Sequence, residues 1–134
     1  MREINKVIVH CSATTPSQDI GVTELRQWHI TERGWSDIGY HFVIRRDGNL
    51  ETGRPIERPG AHAKGHNKDS VGVCLIGGVD EYGKPVFNYT YHQMDTLWNF
   101  LKGFTNEEII GHRDLPGVKK SCPCFDVRSW LNDF

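Results

Sequence analysis

Residues 71–76 read VGVCLI, an apolar run that is hydrophobic on both faces of an extended chain. Such a run predicts a central strand, because a strand that is buried on both faces lacks polar alternation. A second run, KVIVH over residues 6–10, is short and rich in β-branched residues, and it predicts another buried strand. The two runs favour a sheet with elements packed on it.

Helices are predicted around these strands from caps and apolar spacing. Residues 90–93, TYHQ, match the Thr-x-x-Gln capping box. The apolar residues that follow recur at i, i+3, i+4 and i+7: Met94, Leu97, Trp98 and Leu101. Thr23 is the expected N-cap of an earlier helix that ends at Gly34. Its apolar residues are expected to face inward: Leu25, Trp28 and Ile30. Asp126 is expected to cap a short final helix.

Further strands are expected around a tight turn and late in the chain. Asp47-Gly48 readily takes the positive φ of such a turn and predicts a hairpin. Residues 108–112, EIIGH, predict a last strand, and residues 54–69 predict a long surface loop rich in Gly, Pro, His and Lys. These elements together predict a single domain of the α/β class over residues 1–134, with a central sheet flanked by helices.

Composition and charge limit the function classes. The chain has 134 residues and a net charge of −1, from 16 basic and 17 acidic residues, which disfavours nucleic acid as a direct ligand. The longest weakly polar run, residues 71–79, is far shorter than the ~20 residues of a membrane span. The start, MREINKVIVHCS, lacks the apolar stretch of a signal peptide. We therefore expect a cytosolic protein whose four cysteines are reduced thiols or metal ligands.

Two histidines stand where predicted buried strands end. His10 follows the first strand and His112 follows the last, and strand ends are where open α/β sheets place ligand sites. The loop after His112 carries two cysteines, Cys122 and Cys124. Two imidazoles and one thiolate would leave one tetrahedral position open, as a catalytic zinc requires. The alternative is that both histidines are satisfied polar residues at strand ends.

Seven segments, in order along nearly the whole chain, resemble one family. They are IVHCSAT (8–14), LRQWH (25–29), IGYHFVI (38–44), HAKGHN (62–67), SVGVCLIGG (70–78), GHRDL (111–115) and KSCPCFD (120–126). The sequence resembles the zinc-dependent N-acetylmuramoyl-L-alanine amidases of the phage lysozyme, or endolysin, type, which are related to peptidoglycan recognition proteins. This resemblance implies a central mixed β-sheet flanked by helices.

The resemblance also implies a set of site residues. It assigns one zinc ion per chain to three ligands: His10, His112 and Cys122. It assigns catalytic roles to two residues, Tyr40 and Lys120, and it places His62 and Asn67, with less weight, along the groove for the peptide stem. Two departures leave assignments open: the lysine is doubled as Lys119-Lys120, and Cys124 stands where a small polar residue is usual.

The implied reaction is hydrolysis of the amide between N-acetylmuramic acid and L-alanine in peptidoglycan, causing bacterial lysis. Tyr40 as a hydrogen-bond donor and Lys120 as a cation suit the oxyanion that forms. Some members of the family also inhibit a phage RNA polymerase, which makes that enzyme a second candidate partner. A monomer is expected, and the cell wall would be reached only after the membrane is permeabilised. The alternative function is a non-catalytic peptidoglycan-binding module.

Overall fold

The sheet of this protein has five strands. A computed structural model describes residues 2–133. Within that range the strands are β1 (Lys6–Cys11), β2 (Phe42–Ile44), β3 (Leu50–Thr52), β4 (Ser70–Leu75) and β5 (Glu108–Gly111), in the spatial order β3-β2-β4-β1-β5. The run VGVCLI therefore forms most of the middle strand, as predicted, and every residue of β4 is buried.

The sheet is mixed. β4 pairs in parallel with both β1 and β2, and β1 pairs in parallel with β5. Only β3 runs the other way, since the predicted hairpin joins it to β2 and Gly48 takes a φ of 90° in the turn. Four strands therefore end at the same edge of the sheet, and the register places Val9 opposite Gly111 at that edge.

Helices cover both faces of the sheet. They are α1 (Val22–Arg33), α2 (Tyr91–Leu101) and α3 (Val127–Asn132), and a 3₁₀ turn covers His112–Asp114. On one face, α2 and α3 bury Leu97, Leu101 and Val127 against the sheet. On the other face, α1 buries Val22 and Leu25. The predicted architecture, a mixed sheet flanked by helices, is confirmed.

Alternation along β1 decides which side chains can reach a site. Val7, Val9 and Cys11 face α2 and α3. Ile8 and His10 point to the opposite face, because successive side chains of a strand alternate. His10 thus leaves the sheet on the side of α1, at the carboxyl end of the strand.

Three expectations for the helices and strand ends were wrong in detail. Gly21, not Thr23, is the N-cap of α1, and the Glu24 carboxylate accepts from its N–H at 2.8 Å. Ile30 is 43% exposed, so it does not face inward. The last strand ends at Gly111, because His112 already begins the 3₁₀ turn. Thr23 has a side chain that can cap a helix and Gly21 has none, which is why the sequence favoured Thr23.

The four cysteines are free thiols. No helix among residues 2–133 is long and apolar enough to cross a membrane.

The buried amide of Gln93 should be a main source of stability. Its Nε2 donates to the carbonyls of Ile44 and Ile76 at 3.2 and 2.9 Å, while its Oε1 and backbone N–H complete the predicted capping box with Thr90. Gln93→Ala should lower the free energy of unfolding by about 2–3 kcal/mol, because two buried carbonyls each lose one donor, the N–H of Thr90 loses its acceptor and a fully buried side chain is removed. Urea denaturation measures the change through the midpoint.

The matched control lies on the same helix. The exposed amide of Asn99 donates only to the carbonyl of Asp95, so Asn99→Ala should change stability by less than about 0.5 kcal/mol. Equal effects of the two substitutions would contradict the role given to Gln93.

Candidate active site

A cleft of about 210 Å³ opens on the α1 face, at the edge where β1 and β5 end. Five segments supply its walls: the end of β1, helix α1, the chain just before β2, the loop that precedes β4 and the loop that follows β5. Most of the residues predicted from the sequence reach this cleft: His10, Tyr40, His62, His112, Lys120 and Cys122. No Asp or Glu of the described chain lines it.

Two histidines and one cysteine converge in the cleft. One ligand atom from each of His10, His112 and Cys122 lies within 4.8 Å of the other two. His10 is buried at the end of β1, and His112 follows β5, so the parallel pairing of these strands brings the rings to a centroid distance of 4.5 Å. Within residues 2–133, this is the one group of histidine, cysteine and acidic side chains spaced to hold a metal ion.

Backbone contacts bring the Cys122 loop back to the sheet. The N–H of Arg113 donates to the carbonyl of Cys122 at 2.8 Å, and the N–H of Cys11 donates to its sulfur at 3.1 Å. Gly111 leaves room for the loop, because a Cβ there would lie 2.9 Å from Cδ of Pro123. These contacts hold the thiol of Cys122 in the cleft.

The second cysteine of the loop points elsewhere. Cys124 has a φ of 73°, and its thiol donates to the carbonyl of Gly78 at 3.2 Å. It packs with Phe125 against the core on the α2 and α3 face. The structure therefore brings Cys122, and not Cys124, to the two histidines.

The two histidines of the cluster have the protonation state that a cation would need. Burial, and then the neighbouring His62 and His112, lowers the pKa of His10 well below its ordinary value. Burial, followed by Lys120, also lowers the pKa of His112. Both imidazoles are therefore neutral at pH 7 and carry a lone pair. Contact with the Cys11 thiol, together with burial, raises the pKa of the Cys122 thiol, which a bound cation would reverse.

Tyr40 lines the cleft beside the cluster. Its ring centroid lies 5.1 Å from that of His10, and the residue packs against the core cluster under α1. Burial raises the pKa of its hydroxyl well above the ordinary value, and the thiols of Cys74 and Cys122 add to that shift. The phenol therefore keeps its proton across the neutral range.

The doubled lysine is divided between two surfaces. Lys120 lines the cleft with the cluster, whereas Lys119 lines only the neighbouring depression, which it shares with Cys124.

The two predicted groove residues have different placements. His62 lines the cleft, and its Nδ1 lies 2.8 Å from Nε2 of His10. Asn67 does not line the cleft. Its Oδ1 instead accepts from the backbone N–H groups of His62 and Ala63, both at 2.9 Å, so this side chain shapes the loop that carries His62.

The residues of the cleft wall that sequence reasoning missed include His29, Arg33 and Trp35. The rings of His29 and Trp35 lie 4.7 Å apart, and the guanidinium of Arg33 lies 5.2 Å from the Trp35 ring centroid. The segment LRQWH was a signal for His29, which is buried with 9% of its surface exposed. Nothing in the local pattern pointed to Trp35, which follows the end of α1.

The fold and the site together define a class. Solved structures of a peptidoglycan recognition protein and of an N-acetylmuramoyl-L-alanine amidase share this fold. Residues 1–125 match the family described as N-acetylmuramoyl-L-alanine amidase, and this chain belongs to that family. It is similar to the endolysin of Klebsiella phage KP32, with 47% identity over 133 residues, which cover 96% of this chain and 86% of the endolysin.

Solved structures agree with this placement. The N-acetylmuramoyl-L-alanine amidase LysC from Clostridium intestinale is similar with a TM-score of 0.79 and 26% identity, over 98% of this chain and 85% of LysC. Wild-type Drosophila PGRP-LB is similar with a TM-score of 0.79 and 27% identity, over 100% of this chain and 82% of that protein.

The buried histidines should make the metal-free protein acid-sensitive. Burial, and then Arg33 and Arg54, lowers the pKa of His29 to about 4, and burial lowers that of His62 to about 3. In the unfolded chain these groups titrate near 6.5, so at lower pH the unfolded state binds more protons. The free energy of unfolding should therefore be fully present above pH 6.5 and fall between pH 6.5 and 4.

Urea midpoints at pH 7 and pH 5, measured with a chelator present, test this dependence. His29→Asn keeps an acceptor for the N–H of Gly39, which His29 Nδ1 holds at 2.9 Å, but removes one titrating group. Its midpoint should therefore change less with pH than that of the unsubstituted protein. An identical pH dependence would contradict the role of His29.

Proposed function

We propose that this protein is a zinc-dependent endolysin that hydrolyses the amide between N-acetylmuramic acid and L-alanine of peptidoglycan. The observation that carries the proposal is the convergence of His10, His112 and Cys122 in a cleft that also holds Tyr40 and Lys120. The family and the similarity to phage endolysins supply the reaction class.

The donor set fits zinc. Two neutral imidazoles and one thiolate are ligands that zinc prefers, and three protein ligands leave a position for water or substrate, as in catalytic sites. Bound there, zinc would polarise the scissile carbonyl and lower the pKa of a bound water toward about 7. We assign the ligand roles to His10, His112 and Cys122, with one zinc ion per chain.

Tyr40 and Lys120 would stabilise the charge that develops on the carbonyl oxygen. The Tyr40 hydroxyl keeps its proton, so it can donate a hydrogen bond but cannot act as a base near pH 7. Lys120 is exposed at the rim of the cleft, where its ammonium adds positive charge without being buried. Hydrogen-bond donors and charges that are already in place around a developing oxyanion usually make the largest single contribution to catalysis.

The leaving amine needs a proton, and the cleft offers two groups that carry one: the Tyr40 hydroxyl and the Lys120 ammonium. The absence of acidic side chains from the described cleft wall argues against glycosidase chemistry, which generally uses a pair of carboxylates. The bond that is cut is therefore proposed to be the amide and not a sugar linkage.

Further features stay predictions from the sequence. They are the single domain over residues 1–134, the monomeric state, accumulation in the host cytoplasm before lysis, and inhibition of a phage RNA polymerase. Stem-peptide contact by His62 and Asn67 is also a prediction. Because the side chain of Asn67 holds the loop that carries His62, an indirect role in stem-peptide contact is favoured for Asn67.

Zinc content should depend on one cysteine of the loop and not on the other. Cys122→Ser should bind little zinc and lose nearly all amidase activity, because the thiolate is one of three ligands. Cys124→Ser is the matched control. Its thiol contacts the Gly78 carbonyl outside the cluster, so zinc content and rate should be kept. Elemental analysis and amidase rates, before and after chelation, measure both; the reverse pattern would reassign the ligand.

The products distinguish the proposed amidase from the alternative functions. Digestion of purified peptidoglycan should release free alanine amino groups without new reducing sugars. New reducing sugars would show a glycosidase, and wall binding without either product would show the non-catalytic binding module.

Tyr40→Phe tests the proposed role of the tyrosine in the same digest, because it removes one hydroxyl and leaves the proposed zinc ligands intact. Its rate should fall by about 10²–10³-fold through loss of an oxyanion donor, with zinc content unchanged. An unchanged rate would remove Tyr40 from the mechanism.

A further inference from the structure

His10 uses its second ring nitrogen in a buried contact with another histidine. Its Nε2 lies 2.8 Å from Nδ1 of His62, and Nε2 of His62 lies 3.3 Å from Oγ of Ser70. We propose that His62 and Ser70 are positioning residues that hold His10 in the tautomer with its proton on Nε2, so that Nδ1 is the nitrogen offered to the metal. The metal itself rests on the proposed function.

The direction of the hydrogen bonds follows from counting protons, starting at Ser70. Its hydroxyl lies 2.6 Å from the backbone carbonyl of His66, which can only accept. The single hydroxyl proton is therefore given to that carbonyl. In the contact between Ser70 and His62 the serine oxygen must accept, so the proton of His62 is on Nε2.

The same count continues to His10. A neutral His62 with its proton on Nε2 has a lone pair on Nδ1 and accepts there. Nε2 of His10 must then donate, which leaves the lone pair of His10 on Nδ1. Because a metal binds only an unprotonated ring nitrogen, the chain of contacts selects the ligand atom.

Packing keeps the His62 ring in this orientation. A Cβ at Gly72 would lie 2.6 Å from Cγ of His62, so the ring lies directly against the backbone of β4. The side chain of Asn67 holds the backbone N–H of His62, and the His41 ring lies at a centroid distance of 5.7 Å. The absence of a side chain at Gly72 is therefore required for the contact with His10.

The test compares His62→Phe with His62→Asn. The phenyl ring fills the space but cannot accept a proton, whereas the amide oxygen of His62→Asn can still accept from Nε2 of His10. Zinc affinity, measured by competition with a chelator, should weaken about 10–100-fold in His62→Phe, the usual cost of losing such a partner. His62→Asn should recover most of the loss.

His29→Phe is the matched control. It also replaces a cleft-lining histidine by phenylalanine, but the ring of His29 bonds the N–H of Gly39 and not His10. Its zinc affinity should be unchanged. Equal losses in His29→Phe and His62→Phe would overturn the proposal, since they would show a general effect on the cleft.

The tautomer itself is the second readout, and it needs neither zinc nor activity. Long-range ¹H–¹⁵N correlation spectra of the metal-free protein at pH 7.5 should show His10 with its proton on Nε2. Ser70→Ala removes the oxygen that accepts from Nε2 of His62, so His62 can also carry its proton on Nδ1, where it no longer accepts from His10. The Nε2-protonated population of His10 should therefore fall in this variant. A proton on Nδ1 of His10 in the unsubstituted protein, or no change in Ser70→Ala, would overturn the proposal.

These readouts separate the proposal from the proposed function. A protein that binds zinc without amidase activity would refute the function and leave the zinc and tautomer measurements to decide the role of His62. If the protein bound no zinc, the spectra alone would still decide it.

Discussion

The site depends on the parallel pairing of β1 with β5. Val9 lies opposite Gly111 in the register, so the next residue of each chain is a histidine and the two rings leave the sheet side by side. A shift of one residue in either strand would turn its side chains to the other face. The buried apolar residues of β1 thus fix the geometry of the polar cluster, because they allow a single register.

The two faces of β1 serve the cluster in different ways. His10 points into the cleft, whereas the side chain of the next residue, Cys11, packs on the opposite face and its backbone N–H holds the sulfur of Cys122. The sheet therefore supplies one proposed ligand directly and orients another through its main chain. Burial keeps the histidines neutral, while Lys120 stays exposed at the rim.

Much of this arrangement could be predicted from local pattern, and the rest depended on three-dimensional contacts. Strand ends located His10 and His112 because β-branched runs mark buried strands. Spacing alone could not choose between Cys122 and Cys124, since the choice lies in a loop whose direction is set by backbone contacts to Arg113 and Cys11. At the start of α1, the N–H of Val22 donates to the carboxylate of Glu51, which lies 29 positions away, so the local pattern around Thr23 could not show this contact.

The order of the elements along the chain has a consequence for when activity can arise. Cys11 and Cys122, whose contact closes the cluster, are 111 positions apart, and two of the three clustered residues lie in the final part of the sequence. During synthesis the first four strands can pair before β5 exists, but the cluster of His10, His112 and Cys122 is still incomplete. Contacts between such distant segments carry a high entropic cost of loop closure. A nascent chain that lacks β5 and the loop after it therefore carries only one of the three clustered side chains, His10.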